Sequence, residues 1–421
     1  MISRIILISL LSTIYLFSQS LEHIFFQSVV QINTTYGQST YFTGKISYNR
    51  LVFEKKNNLF YSGLEVIAEI RDSSGNFVDR EIVTSEIHTD DFTATNQNEK
   101  YLNFLVKFDL KPGNYSVNAT AKDLNSKSEV TLDSTSLNIS ADNNNQDFST
   151  PLIVQSTNKS CGKLHSFEFV NFRNSVPFDG KEYQMLIPAK DTALKKIFVT
   201  IRSEGKIYYS GNSTTAVTGL VNLVECDGNI LAEIDSTKNL SKIFILKGFN
   251  SELVEGPIEI EVSSDFKSAT NQKFKSKVEW FNKPISLTRP EFAIQSLKFL
   301  EPDSVITSLL KEEGENYSKA LFSFWKKYDP TPLTAFNELM KEYYGRVDYS
   351  LRNFRTNNGK IGTETDRGRI YITYGKPKRV TRDSNKDGKV VEKWFYSKPE
   401  LQFVFIDRTG TGDFKLEKED D

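Results

Sequence analysis

Histidine, methionine, tryptophan and cysteine are scarce in this chain, which holds 3, 3, 3 and 2 of them among 421 residues. His23, His88 and His165 are scattered, so no His-x-x-x-His pair exists. Neither a Ser-His-Asp nor a Cys-His set can be assembled from the C-terminal part. Phosphate-cradling glycine patterns are also missing: there is no Gly-x-x-x-x-Gly-Lys loop and no Gly-x-Gly-x-x-Gly after a strand. Charge of one sign is not in excess, with 53 Lys and Arg against 54 Asp and Glu. Nucleic acid and anionic membranes are therefore not expected partners. After the N-terminal segment, no apolar run approaches the roughly 18 residues that a transmembrane helix needs. Asp383-Ser384-Asn385-Lys386-Asp387-Gly388 opens like a calcium loop, but the closing glutamate is replaced by Trp394. No metal and no cofactor is expected.

Aromatic residues are plentiful: 31 Phe and 18 Tyr suit rigid cores built on strands. At the N-terminus, Arg4 precedes an apolar stretch from Ile5 to Phe17, followed by Ser18, Gln19 and Ser20. This is the pattern of a signal peptide over residues 1–20, with no cysteine for lipid attachment. The mature protein is expected outside the cytoplasm, periplasmic, cell-surface or secreted, without a transmembrane span. An oxidising compartment permits a disulfide between Cys161 and Cys226. It would close a loop worth about 4 kcal/mol in the chain-entropy model. The spacing does not fix their separation, so two buried free thiols remain the alternative.

Alternating or β-rich runs dominate the first two thirds. Phe25 to Ile32, Gly44 to Tyr48, Leu64 to Ile70, Tyr101 to Leu110 and Tyr115 to Ala121 are strand candidates, separated by turns such as Ser73-Ser74-Gly75-Asn76 and Pro112-Gly113. Residues 21–140 thus read as an immunoglobulin-like sandwich. A polar linker, 141–151, precedes a second β-rich segment over 152–284, expected to be another such sandwich. Past Pro284 the apolar period lengthens, and 285–421 reads as an α+β domain of helices packed with a small antiparallel sheet. The fold class is multidomain: two all-β sandwiches followed by an α+β domain.

Within that last part, Tyr317, Ala320, Leu321, Phe324, Trp325 and Tyr328 share one helix face. Asp329-Pro330-Thr331-Pro332 then ends the helix, and Thr331 as N-cap with Pro332 behind it is expected to start the next one. Its stripe would run through Leu333, Phe336, Leu339, Met340, Tyr343, Val347, Leu351 and Phe354, with Asn337, Glu338 and Arg346 off it or at its edge. In Thr365-Asp366-Arg367-Gly368-Arg369, Thr365 or Asp366 can cap a short helix ending at Tyr374 and Gly375. The β-branched and aromatic run Ile370 to Tyr374 also admits a strand, although the helix is preferred. Val390 to Tyr396, Leu401 to Ile406 and Asp413 to Glu417 read as a three-strand meander.

Phe324-Trp325, Asp329-Pro330-Thr331-Pro332, Asn337-Glu338, Arg346-Val347, Thr365-Asp366-Arg367-Gly368-Arg369 and Tyr374-Gly375-Lys376-Pro377 follow one another in an order that resembles the GWxTD domain of secreted bacterial proteins. The resemblance spans roughly residues 290–418 and implies export but no accepted activity or catalytic residues. Thr363 stands where the family name has Trp. Asp329, Asn337, Glu338, Arg346, Thr365, Asp366, Arg367, Arg369 and Tyr374 are therefore candidate interaction residues. The expected role is binding or assembly with an envelope or secreted protein, or with a glycan. The alternatives are a carbohydrate-binding protein and a hydrolase of envelope polysaccharide or peptide using Asp329, Glu338 and Asp366, since a carboxylate pair in a cleft is the minimum for glycoside hydrolysis.

Overall fold

The computed structural model describes residues 25–34, 37–139, 147–265, 271–311 and 316–420. The expected signal peptide and most of the expected linker lie outside them. The chain is mostly strand, arranged in several sheets, with a few helices in its last third. It divides into two compact units, each drawing on separated stretches of chain.

The first unit comprises residues up to 174, with 185–195 and 214–245. Its three-stranded sheet runs in the order Phe25–Thr34, Gly37–Ser47, Tyr101–Asp109, with Val29 opposite Phe42 and Phe42 opposite Val106. A second sheet is centred on Leu59–Asp72, flanked by Phe77–Thr89 and Gly113–Asp123. Strict alternation turns Leu64, Val66, Ala68 and Ile70 inward, where they meet Phe42, Phe104 and Phe108 in one core. Lys45 is caged by aromatic rings, its ammonium 4.3 Å from the centroid of Tyr101 and 4.5 Å from that of Phe172. Further on, six strands close into a barrel in the order Leu152–Ser156, His165–Phe169, Asn229–Asp235, Ala216–Cys226, Ser241–Lys247 and Gln184–Ala189. Closure removes free strand edges. Cys161 and Cys226 are disulfide-bonded, with Cα atoms 6.0 Å apart. The buried Glu233 holds that loop by accepting from the Cys161 amide at 2.7 Å and the Ser166 hydroxyl at 2.8 Å.

The second unit comprises 175–184, 196–213 and the residues from 246 onward. Its five-stranded sheet has the order Ser175–Pro177, Gln272–Glu279, Gly256–Ser263, Ile197–Ser203, Lys206–Ser213, antiparallel except for the first pair. One face is buried through Ile197, Val199, Ile201, Ile258, Ile260 and Val262. The other carries ion pairs such as Lys273 to Glu259 at 2.7 Å and Arg202 to Glu261 at 3.5 Å.

Five α-helices follow among the described residues: α1 (Pro290–Ser296), α2 (Asp303–Leu309), α3 (Asn316–Trp325), α4 (Glu338–Asn353) and α5 (Asp366–Tyr374). The last is a helix, as preferred from its cap and its closing glycine. A four-stranded antiparallel meander completes the domain, ordered Arg379–Ser384, Val390–Ser397, Glu400–Asp407, Phe414–Asp420. It has one strand more than expected, because Arg379–Ser384 pairs with Val390–Ser397 through a hairpin at Asn385, whose side chain accepts from the amides of Asp387 and Lys389. That use of Asn385 makes the calcium-like run a turn.

One helix boundary needs correcting. α4 starts at Glu338, not after Thr331, and its N-cap is Asn337. Asp329 Oδ1 accepts from the Thr331 amide at 2.9 Å, a local turn that competes with helix at this point. Leu333 and Leu339, placed on the inward stripe by spacing from Pro332, are consequently exposed, at 87% and 44%.

Candidate functional site

The aromatic helix face is a core. Trp325 packs on Tyr343 and Tyr344 with ring centroids 5.3 and 5.8 Å away, and the Tyr344 hydroxyl donates to the Ala293 carbonyl at 2.9 Å. Burial pushes the pKa of both tyrosines well up, so they stay protonated. Asn337 ties this core together. Its Oδ1 accepts from the Met340 amide at 2.8 Å as N-cap of α4, and its Nδ2 donates to the Trp325 carbonyl at the end of α3 at 2.9 Å. The Phe-Trp and Asn-Glu pairs of the motif are thus two ends of one joint.

The signature is built where α4, the single turn Gly362–Glu364 and α5 meet. A Cβ on Gly362 would overlap the carbonyl oxygen of Ser350 in α4, and a Cβ on Gly368 would overlap that of Gly362. Only glycine lets these three backbones approach so closely. Between them Thr365 caps α5: its Oγ1 accepts from the Gly368 amide at 3.0 Å and donates to the Gly362 carbonyl at 2.8 Å. Thr363 is buried in the same turn. Arg346 closes the other end of α5, donating from Nη1 to the Thr373 carbonyl at 3.1 Å, where a cation suits the helix dipole. Its Nε donates to Glu342 at 2.8 Å.

Asp366 and Arg367 reach from α5 to the meander. Asp366 Oδ2 accepts from the Leu416 amide at 2.9 Å. The Arg367 guanidinium lies 4.0 Å from the Phe414 ring centroid and 5.1 Å from that of Phe354. Its Nη2 donates to the Gly412 carbonyl at 3.2 Å, and its Nη1 pairs with Glu392 Oε1 at 3.5 Å. Both partners of this pair are buried, at 8% and 3% exposure. Glu392 is further held by the Trp394 indole N–H at 2.6 Å and by Arg382 at 2.6 Å. Desolvation draws the Arg367 pKa below its usual value, and the Glu392 charge opposes that shift. Tyr374 packs on Phe403 at 5.2 Å. Tyr371 stacks on Tyr349 at 4.3 Å, and burial pushes its hydroxyl up to about 12. Arg369 alone among the charged residues from Asp366 to Arg369 is exposed.

The three acids do not converge. The Thr331 hydroxyl lies 2.6 Å from Glu338 Oε2 and 3.3 Å from Asp329 Oδ1, whereas Asp366 is bound to the meander. Near that turn, Phe178, Asp179, Asn250, Leu253, Thr334 and Phe336 are among the residues lining a cavity of about 230 Å³. Its Asn250 is already used, accepting from the Tyr183 amide at 3.1 Å and donating to the Lys181 carbonyl at 2.8 Å. Among the described residues no group of three or more His, Cys, Asp or Glu is placed to hold a metal ion. Nor is any helix among them long and apolar enough to cross a membrane.

Sequence reasoning missed Glu392, Phe414 and the Trp394 indole, which lie on strands and meet the signature only through the sheet. It also passed over Gly362 and Gly368. Their interval, bracketing a threonine cap, was the available signal.

Residues 262–420 match the family described as the GWxTD domain. That match supports assigning this part of the chain to the GWxTD domain family. The match starts within the strand Gly256–Ser263, earlier than the motifs alone indicated. No curated protein matches the chain. Among solved structures, the C-terminal domain of the AgI/II polypeptide BspA of Streptococcus agalactiae is 9% identical over 60% of this chain and 95% of that one, with a TM-score of 0.17. Purple acid phosphatase PPD1 from yellow lupin (Lupinus luteus) seeds is 9% identical over 63% of this chain and 48% of that one, with a TM-score of 0.15. Scores this low carry no argument about fold or function.

The two caps give a graded expectation. Asn337→Ala, which removes a buried cap and the tie to Trp325, should destabilise the protein by about 2 kcal/mol, and Thr365→Ala by about 1 kcal/mol. Urea midpoints followed by far-ultraviolet circular dichroism would check both.

Proposed function

We propose that the protein is an exported, non-enzymatic component of the cell envelope that acts by binding or assembling other proteins, its GWxTD domain serving as a rigid presenting module. The observation that carries this reading is how the signature's polar residues are spent: Thr365 caps a helix, Asp366 holds a strand and Arg367 fills a core. Side chains so committed position a scaffold, and Arg369 is left facing solvent beside them. The disulfide supports export, since such bonds persist in oxidising compartments. The β-rich segments would present end loops as immunoglobulin-like sandwiches do. In keeping with that, the Tyr115 hydroxyl donates back to the Lys111 carbonyl at 2.9 Å, as in a tyrosine corner.

The test is crosslinking in the native envelope, followed by capture of the mature chain and of Arg369→Glu, a change at an exposed position that leaves the fold intact. A defined partner lost in the variant places recognition on the signature. The same partner from both places it on the β-rich segments, and no partner from either overturns the reading. The second reading, a hydrolase, draws on the meeting of Asp329 and Glu338 at Thr331. It requires turnover of envelope polysaccharide or peptide that disappears in Glu338→Gln.

A further inference from the structure

The cavity of about 230 Å³ lies wholly within the second unit, between the loops 178–182 and 248–253 and the residues that lead into α4. Its floor is apolar and buried, made by Val176, Phe178, Leu253, Val278 and Phe336. The rings of Phe178 and Phe336 meet edge to face at 5.1 Å, and Trp280 packs on both, at 5.7 and 5.2 Å. Gly180, Lys181, Glu182, Gly248 and Ser251 are exposed and form its mouth.

Volume and chemistry narrow what can enter. Sites for small-molecule ligands usually run from roughly 300 Å³ upward, so this one suits a single long side chain. A sugar is a poor fit, because the polar side chains on the walls are already engaged. Asn250 is bonded at both ends, and the Thr334 hydroxyl donates to the Thr331 carbonyl at 3.0 Å. The Asp179 carboxylate accepts from the Tyr183 hydroxyl at 2.8 Å and from the Lys181 amide at 3.2 Å, and the Lys181 ammonium lies 3.7 Å from it. One charge at the mouth is left over: Glu182 has no cationic partner among the described residues. Glu338 adds charge of the same sign, since its Oε1 would lie 2.9 Å from a Cβ on Gly180.

We propose that this cavity takes the side chain of an arginine on a protein partner. An arginine stem is apolar and can lie on the floor while its charged head stays at the mouth. The planar guanidinium packs on aromatic rings and is more weakly hydrated than an ammonium, so it loses less on entering beside Phe178 and Phe336. Glu182 and Glu338 supply the opposite charge. Arginine is also among the residues that most often anchor protein interfaces. This occupant presupposes the binding role proposed above, yet the two fail separately: envelope capture asks whether a partner exists, whereas the cavity can be probed without one.

The probe is N-acetyl-arginine methylamide, followed by saturation-transfer NMR on the purified mature chain, beside its citrulline counterpart, which keeps the stem and lacks the charge. A saturable signal with a Kd in the millimolar range is expected for arginine, on the order of what one buried side chain supplies. Citrulline should bind at least roughly threefold more weakly, and Glu182→Gln should weaken arginine by a similar factor while leaving citrulline unchanged. Glu182 is exposed, and an unchanged urea midpoint would verify that the variant folds. Absence of saturable arginine binding overturns the proposal, whether or not envelope capture recovers a partner. So does equal binding of citrulline, tighter binding of the lysine counterpart, or arginine binding indifferent to Glu182→Gln.

Discussion

Arg367→Ala should destabilise the protein by about 3 kcal/mol, the low end of the range for removing one partner of a buried ion pair, because Arg382 still pairs with Glu392. The substitution leaves Glu392 at 3% exposure, still held by the Trp394 indole but without the cation that faces its Oε1. It also removes the guanidinium plane between the rings of Phe414 and Phe354. The loss therefore combines a buried carboxylate that keeps Arg382 on its Oε2 but has no cation at its Oε1 with a cavity. A second variant separates the two: Arg367→Met together with Glu392→Gln refills most of the volume and removes both charges. It should recover more than half of the loss, because a well-packed apolar replacement of a buried pair is often neutral. Urea unfolding monitored by the fluorescence of Trp394 and its neighbours would measure both. If Arg367→Ala cost less than about 1 kcal/mol, the pair would behave as a solvated one.

Gly368→Ala and Gly362→Ala should each cost about 4 kcal/mol or more, at the extreme of single substitutions. The atom that a Cβ would meet is a backbone carbonyl oxygen in both cases, so no side chain can swing aside. Relief requires α5 to lift from the Gly362 turn, which breaks the bond from Thr365 to the Gly362 carbonyl, or that turn to lift from α4. Gly345, on α4 with nothing within 4 Å of an added Cβ, is the internal control. Gly345→Ala should stabilise by a few tenths of a kcal/mol through helix propensity. Thermal unfolding of the three variants would show the contrast.

Much of this architecture was legible because it is local. Strand alternation, the Pro-Gly turn before Tyr115, the cap at Thr365 and the glycine ending α5 each depend on a few neighbouring residues. The start of α4 was misplaced for a related reason. Pro332 suits a first helical turn, but Asp329 engages the Thr331 amide and the cap passes to Asn337, whose second bond to Trp325 no local pattern announces. The disulfide partners were identifiable and their distance was not, since the barrel brings Cys161 to Cys226 across 65 residues. The candidate site was legible as a string of residues but not as a set of roles. Asp366 and Arg367 look like a surface charge cluster until the meander supplies Leu416, Glu392 and Phe414.

The bonds from α5 to the meander also set an order of events. Arg367 waits for Gly412 and Phe414, and Asp366 for Leu416, groups some 45 to 50 positions further along the chain. A polypeptide emerging N-terminus first from a ribosome or a translocation channel exposes the signature helix well before these partners arrive. During that interval Arg367 stays hydrated, and α5 has α4 and the Gly362 turn to pack on but not the sheet. Arrival of the strand Phe414–Asp420 is the event that buries the charge, and the signature thereby acts as a latch that shuts only once that strand has been delivered.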